Sequence, residues 1–225
     1  MEIKILYEDK NMLICLKPVG VATQTSRPAD QDMVSLMKNY LARQEALKDP
    51  YLGVIHRLDQ PVSGILVFAK TKQAAASLSK QEMNKEYLAL CYGMPPEEEK
   101  TLIHYLKKDG HLATITDEWD KEGKRAELTY RMEEKRENSA VLRIWLKTGR
   151  FHQIRAQLSA IGHPLLGDRK YSLPESEAES RCRGINSVAL CACGLGIIHP
   201  ITKEKMKFTL DREDLPLWYS EETAR

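Results

Sequence analysis

Apolar residues in this chain come in short bursts, and the spacing within each burst predicts the element it forms. Residues 3–7 and 12–16 are two apolar runs separated by Glu8-Asp9-Lys10-Asn11, a turn-rich spacer, and they read as short strands. Lys17-Pro18-Val19-Gly20 ends the second run. Met33, Met37, Tyr40 and Leu41 fall at helical spacing over residues 33–43, with Asp30 or Asp32 as the cap. Residues 65–69 form a continuous apolar strand. Residues 73–83, rich in Ala, Leu, Gln and Lys, read as a helix, and residues 86–92 as another strand. Pro95-Pro96-Glu97-Glu98-Glu99 is an exposed acidic loop.

Period-two alternation then becomes clear. Leu128, Tyr130 and Met132 alternate with charged or hydroxylated neighbours, and Leu142, Ile144 and Leu146 repeat the pattern, which marks strands of a half-exposed sheet. Residues 133–139 are polar and short enough for a hairpin connection. Ile154, Leu158 and Ile161 share one face of a helix over 151–161. Residues 172–184, rich in Ser, Glu and Arg, read as a mobile surface loop. Two last strands, around 187–198 and 205–210, flank His199-Pro200. Strands outnumber helices and often follow one another, so the class is α+β with a largely antiparallel sheet. With no repeat and no clear linker, a single domain over residues 1–225 is expected.

Composition narrows this only slightly. Charged residues make up 29% and hydrophobic residues 42%, ordinary for a soluble globular chain, and the net charge of +2 says little about partners. No apolar run approaches the ~20 residues of a membrane span. Met1-Glu2-Ile3-Lys4-Ile5 lacks the basic start and apolar core of a signal peptide, which points to the cytoplasm. Cys15, Cys91, Cys182, Cys191 and Cys193 form no paired framework and are expected as free thiols. Three of them lie near His199, but their spacing matches no common zinc pattern, so no metal is expected. Nothing marks a long apolar interface, and a monomer is expected.

Three polar constellations carry candidate chemistry. His56-Arg57-Leu58-Asp59 stands in a segment broken by Pro61 and Gly64, directly before the buried strand. Lys85-Glu86-Tyr87 opens the next strand. Lys147-Thr148-Gly149-Arg150-Phe151-His152-Gln153-Ile154-Arg155 runs from a strand end into a helix. From Arg143 to Lys170 the chain holds six basic residues, and Asp168 is the sole acid. A basic strip interleaved with Phe151 and Tyr171 suits nucleic acid, although a solvated face has the same composition. Taken singly, each constellation fits a structural role equally well.

Together they resemble the RluA-type RNA pseudouridine synthases. His56-Arg57-Leu58-Asp59-x-x-x-Ser63-Gly64 followed by Ala69-Lys70 is similar to that family's catalytic signature. Lys85-x-Tyr87-x-Ala89 with Gly93 resembles its tyrosine block. Thr148-Gly149-Arg150-x-His152-Gln153-Ile154-Arg155 with Gly162-His163-Pro164-Leu165-x-Gly167-Asp168 and Tyr171 resembles its third block, and Lys17-Pro18-x-Gly20 its first. Lys124-x-Ala126-x-Leu128-x-Tyr130 and His199-Pro200 fit weaker positions. The blocks occur in the family's order. Three positions depart: Val62 stands where threonine is usual, Phe151 where threonine is common, and Ala156-Gln157 where valine-histidine is usual.

The resemblance implies a pseudouridine synthase fold: a largely antiparallel mixed sheet flanked by helices and loops, with the catalytic cleft across the sheet. It implies the catalytic part alone, without the S4-type RNA-binding domain of many relatives. It implies isomerisation of uridine to pseudouridine in structured ribosomal or transfer RNA, with no cofactor. Asp59 is then the carboxylate that meets C1′ of the ribose, Arg155 its guanidinium partner, and Tyr87 the ring that stacks on uracil. Arg57 helps hold the flipped nucleotide, and Lys17, Arg150, His152 and Lys170 are candidates for the RNA backbone. Two other classes compete. An RNA-binding protein that keeps the fold has no use for a carboxylate near phosphates. A glycoside or nucleoside hydrolase wants a second acid near Asp59, and the surrounding sequence supplies none.

Overall fold

The structure, a computed structural model, describes residues 2–25, 30–45 and 48–220. In chain order the first elements are β1 (Ile5–Glu8), β2 (Met12–Lys17), α1 (Met33–Glu45), β3 (Gly53–Val54), β4 (Ser63–Ala69) and α2 (Lys72–Leu78). They are followed by β5 (Asn84–Tyr92), β6 (Glu99–Asp109), β7 (Leu112–Thr116), β8 (Lys124–Arg136), β9 (Ser139–Leu146) and α3 (Gln153–Ala160). The last are α4 (Pro174–Cys182), β10 (Leu190–Ile198), β11 (Lys205–Thr209) and the short α5 (Leu217–Ser220). The chain groups into two compact units, Met1–Met83 with Ala192–Glu213, and Asn84–Cys191 with Asp214–Arg225.

The first unit is built around β4. Its run Gly64–Ala69 is buried, because β2 pairs along it antiparallel from Met12↔Ala69 to Lys17↔Gly64 and α2 packs against it. Such a strand needs no polar alternation, which is why its sequence is continuously apolar. Helix α1 contributes Met33, Met37 and Leu41 to this core, and α2 contributes Ala74 and Leu78. Asp32 rather than Asp30 caps α1: its Oδ1 accepts the Ser35 N–H at 2.7 Å, and Ser35 Oγ accepts the Asp32 N–H at 3.1 Å. The segment around β1 and β2 is tied to the β10–β11 turn by buried His199. Its Nε2 lies 2.8 Å from Asp9 Oδ2, and its Nδ1 accepts the Thr202 N–H. Cys15 and Cys193 are buried among apolar neighbours, as small core residues.

The second unit is an antiparallel sheet in the order β5-β9-β8-β6-β7. Strands β8 and β9 form the expected hairpin, joined by Glu137 and Asn138 alone rather than by 133–139. Of the alternating positions, Leu128, Tyr130, Leu142 and Ile144 are buried, whereas Met132 and Leu146 are only half-buried. Helix α3 lays Ala156 against Leu106, Ala113 and Ala126 of the outer strands, with Tyr171 packed alongside.

Three regions differ from the sequence expectation. Residues 105–123, where the periodicity marks no element, are largely the β6–β7 hairpin, which carries few buried apolar positions because it closes the sheet at its edge. Residues 172–184, expected as a loop, contain α4. Its buried face is made of Ser176 and Ser180 instead of apolar residues, so hydrophobic periodicity does not reveal it. Pro174 starts it, Ser176 Oγ accepts the Leu173 N–H, and Ser180 Oγ both donates to Ser176 O and accepts the Gly167 N–H. Helix α2 stops at Leu78, short of residue 83, and the Gln81 side-chain amide instead pairs with both backbone groups of Ile198.

Candidate active site

The expected site residues divide into one set in each unit. In the first unit, the loop between β3 and β4 carries Arg57 and Asp59. Thr23 fixes the loop from below: its Oγ1 donates to Leu58 O at 2.9 Å and accepts the Leu58 N–H at 3.1 Å. The Asp59 carbonyl closes a turn by accepting the Val62 N–H at 3.0 Å, and Val62 is buried, so the side chain that departs from the family pattern faces the core. Gly64, the second residue of β4, has φ +127°. A Cβ there would overlap the Ala192 carbonyl on β10 and stand 2.5 Å from the Ala192 nitrogen, so only glycine lets the two strands approach. Asp59 is partly accessible. Arg57 is exposed and engages no other side chain among the described residues.

Lys17 is not where an RNA contact would be. It is fully buried, and its ammonium donates to the carbonyls of Pro18 at 2.9 Å, Val21 at 2.5 Å and Gln60 at 3.1 Å. A lysine so enclosed cannot reach a backbone phosphate. It ties the end of β2 to the residue that follows Asp59. Burial pushes its pKa down to about 8, partly opposed by the Asp59 charge.

In the second unit, Tyr87 stands on β5 opposite Ile144 of β9 and is largely buried. Two residues before it, Lys85 is held below the usual lysine pKa by burial. Arg155, on α3, is buried and grips buried Asp168 with two parallel bonds: Nε to Oδ2 at 2.6 Å and Nη2 to Oδ1 at 2.7 Å. Its guanidinium also lies 5.2 Å from the Tyr171 ring centroid. Asp168 Oδ1 further accepts the Lys170 N–H at 3.0 Å. The arginine is therefore oriented before any substrate arrives. Asp168 was missed as a site residue, although a lone acid in a basic run is a signal for such a partner.

The segment leading into α3 is organised by buried Gln153. Its Oε1 receives the Thr148 hydroxyl at 2.8 Å and the Arg150 N–H at 2.9 Å, while Nε2 donates to Glu127 O at 3.0 Å. The residue before Gln153, His152, has a left-handed conformation, φ 51°, so α3 begins at Gln153 and not at residue 151. His152 is buried, with Nδ1 2.8 Å from the Tyr171 hydroxyl, and that hydroxyl accepts the Ala113 N–H of β7 at 2.6 Å. It is thus a brace between α3 and the hairpin and not an exposed RNA contact. Arg150 and Lys170 are exposed, as RNA contacts require. They donate to the Arg125 carbonyl at 3.0 Å and the His111 carbonyl at 3.0 Å. Arg143 of the basic run is paired with Glu86 and Glu133. Among the departures from the family pattern, Ala156 and Gln157 are core residues, while Phe151 is exposed.

This fold is that of pseudouridine synthase catalytic domains. The structure superposes on the human RNA pseudouridylate synthase domain containing 4 with a TM-score of 0.78 at 21% identity, covering 96% of this chain and 90% of that one. For the human RNA pseudouridylate synthase domain containing 1 the TM-score is 0.74 at 23% identity, with 96% and 86% covered. In sequence, residues 11–160 match the profile described as RNA pseudouridylate synthase. The ribosomal large subunit pseudouridine synthase C of Buchnera aphidicola (subsp. Acyrthosiphon pisum) is 32% identical over 213 residues, 90% of this chain and 65% of its own length. That of Escherichia coli K12 is 32% identical over 217 residues, 90% and 64%. The chain belongs to the RNA pseudouridylate synthase family. It spans about two thirds of the length of these curated relatives, 65% of the first.

Proposed function

We propose that this chain isomerises specific uridines to pseudouridine in structured RNA. Ribosomal RNA is the favoured substrate, because the curated relatives are named for the large ribosomal subunit; transfer RNA is the alternative. The observation that carries the reading is the aspartate loop, in which backbone and buried side chains hold Asp59 partly accessible between a buried strand and an exposed arginine. In the reaction the N1–C1′ bond of uridine breaks, the uracil turns, a C5–C1′ bond forms, the C5 proton leaves and N1 takes up a proton. The atoms of substrate and product balance, so no redox partner is needed.

Asp59 takes the role of the carboxylate that meets the electron-poor C1′ as the base departs. Arg155 takes that of the guanidinium favouring the ionised carboxylate, a role helped by the Asp168 clamp that fixes its orientation. Tyr87 stacks on the uracil; a tyrosine near pKa 10 is a weak base at neutral pH, so positioning is its main contribution. Arg57, unpartnered among the described residues, fills the stack that the flipped nucleotide vacates. Arg150 and Lys170 meet phosphates. The protein works as a monomer in the cytoplasm; no described helix is long and apolar enough to cross a membrane.

The test is tritium release from RNA labelled at C5 of uridine, with wild type and Asp59→Ala. Release by wild type and none by the variant is expected. No release by wild type on any cellular RNA removes the isomerase reading, and release that survives the substitution removes Asp59 from its role.

A further inference from the structure

The second unit presents two exposed aromatic side chains, Trp119 and Phe151, in different electrostatic settings. Trp119, 84% exposed, sits in the acidic stretch Asp117, Glu118, Asp120 and Glu122, which repels phosphate. Phe151, 40% exposed, follows Arg150 in the chain and lies beside the Lys108 ammonium. Its inner face rests on the buried His152 ring, with centroids 3.8 Å apart and planes 20° from parallel. Over the ring, 5.2 Å from its centroid, lies the ammonium of exposed Lys108 at the end of β6. Arg150 is the preceding residue. Lys170 is bonded to His111, just beyond the hairpin turn that Lys108 approaches.

The ring is also rigidly held. His152 is fixed by Tyr171, and Arg150 by Gln153 and the Arg125 carbonyl, so the backbone on both sides of Phe151 is anchored. A partly exposed apolar ring on an anchored loop, with the Lys108 ammonium over it and Arg150 beside it in the chain, has the chemistry of a stacking platform for single-stranded nucleic acid. Threonine, common at this position in the family that the chain resembles, has no ring to offer.

We infer that Phe151 stacks on an unpaired nucleobase of the substrate RNA, outside the reacting uridine. Lys108 swings from the ring to an adjoining phosphate as the base arrives. Phe151 then helps decide which RNA this chain selects. The inference rests on the RNA-modifying reading above.

The test uses the full chain with large-subunit ribosomal RNA and with a short oligouridylate carrying 4-thiouridine. Stacking on an aromatic ring predicts that Phe151→Leu and Phe151→Ala weaken affinity about 5- to 150-fold, while Phe151→Tyr binds like wild type. In tritium release, Phe151→Leu raises KM and leaves kcat unchanged at saturating RNA. Photocrosslinking to the oligonucleotide places an adduct on the tryptic fragment Phe151–Arg155. Leucine keeps the apolar cover over His152, so a loss in that variant reports the ring and not the fold. Wild-type affinity in Phe151→Leu, or adducts confined to other fragments, overturns the inference while wild-type isomerisation leaves the parent reading intact. Failure of the wild type to bind any RNA overturns both.

Discussion

Replacing Asp168 by asparagine tests whether Arg155 is held by a buried ion pair. The two side chains are 4% and 0% exposed, and the carboxylate receives Nε at 2.6 Å and Nη2 at 2.7 Å. Each charge-assisted bond is worth about 1.5–3 kcal/mol. Breaking one side of a buried pair commonly costs about 3–5 kcal/mol, because a charge is left without its counter-ion. The two figures agree, and asparagine preserves the shape so that packing adds little. For a chain of this size the loss lowers the thermal midpoint by about 6–20 °C. Unfolding by urea and by heat measures it. The double variant Arg155→Met/Asp168→Leu removes both charges and is expected to regain much of the stability without regaining tritium release. A loss below about 1 kcal/mol in Asp168→Asn, or a double variant less stable than either single one, would refute the reasoning. Asp168 is a positioning residue, so Asp168→Asn lowers kcat more than it raises KM.

Two further outcomes follow from the first unit. Gly64→Ala forces a left-handed φ of +127° on a residue whose Cβ meets the Ala192 backbone, and it is expected to cost upwards of about 3 kcal/mol or to abolish soluble expression; a variant with an unchanged urea midpoint contradicts the clash. Lys17 has a folded pKa of about 8, depressed from the ordinary 10.5 by burial, so its titration stabilises the fold above the unfolded value and that stability is lost as pH falls through about 8. The stability of wild type relative to Lys17→Met should therefore rise by up to about 3 kcal/mol between neutral pH and pH ~10; a difference independent of pH means that the ammonium is not desolvated as described.

The family blocks make most of the candidate chemistry legible in the sequence, since they place Asp59, Tyr87 and Arg155 in order along the chain. The strands of the central hairpin were legible as well, because Leu128 and Tyr130 of β8 alternate with half-buried or exposed neighbours, and Leu142 and Ile144 of β9 flank half-buried Arg143. Elements that bury little apolar surface were not. Helix α4 hides small hydroxylated residues, and the β6–β7 hairpin closes an edge, so neither leaves a hydrophobic period. Roles that depend on exposure were also beyond the sequence. Lys17 and His152 look like surface cations in a string of letters, and the fold encloses both.

Residue types and their order, by themselves, determined the family, the α+β class and which side chains have the chemistry to act. Tertiary structure alone decided which charges reach solvent and which are bound within the protein. It gave Arg155 its aspartate, closed three carbonyls around Lys17, and left Phe151 in water among lysine and arginine. The physical reason is that a charge's partner is chosen by burial and by neighbours distant in sequence, and local pattern carries neither.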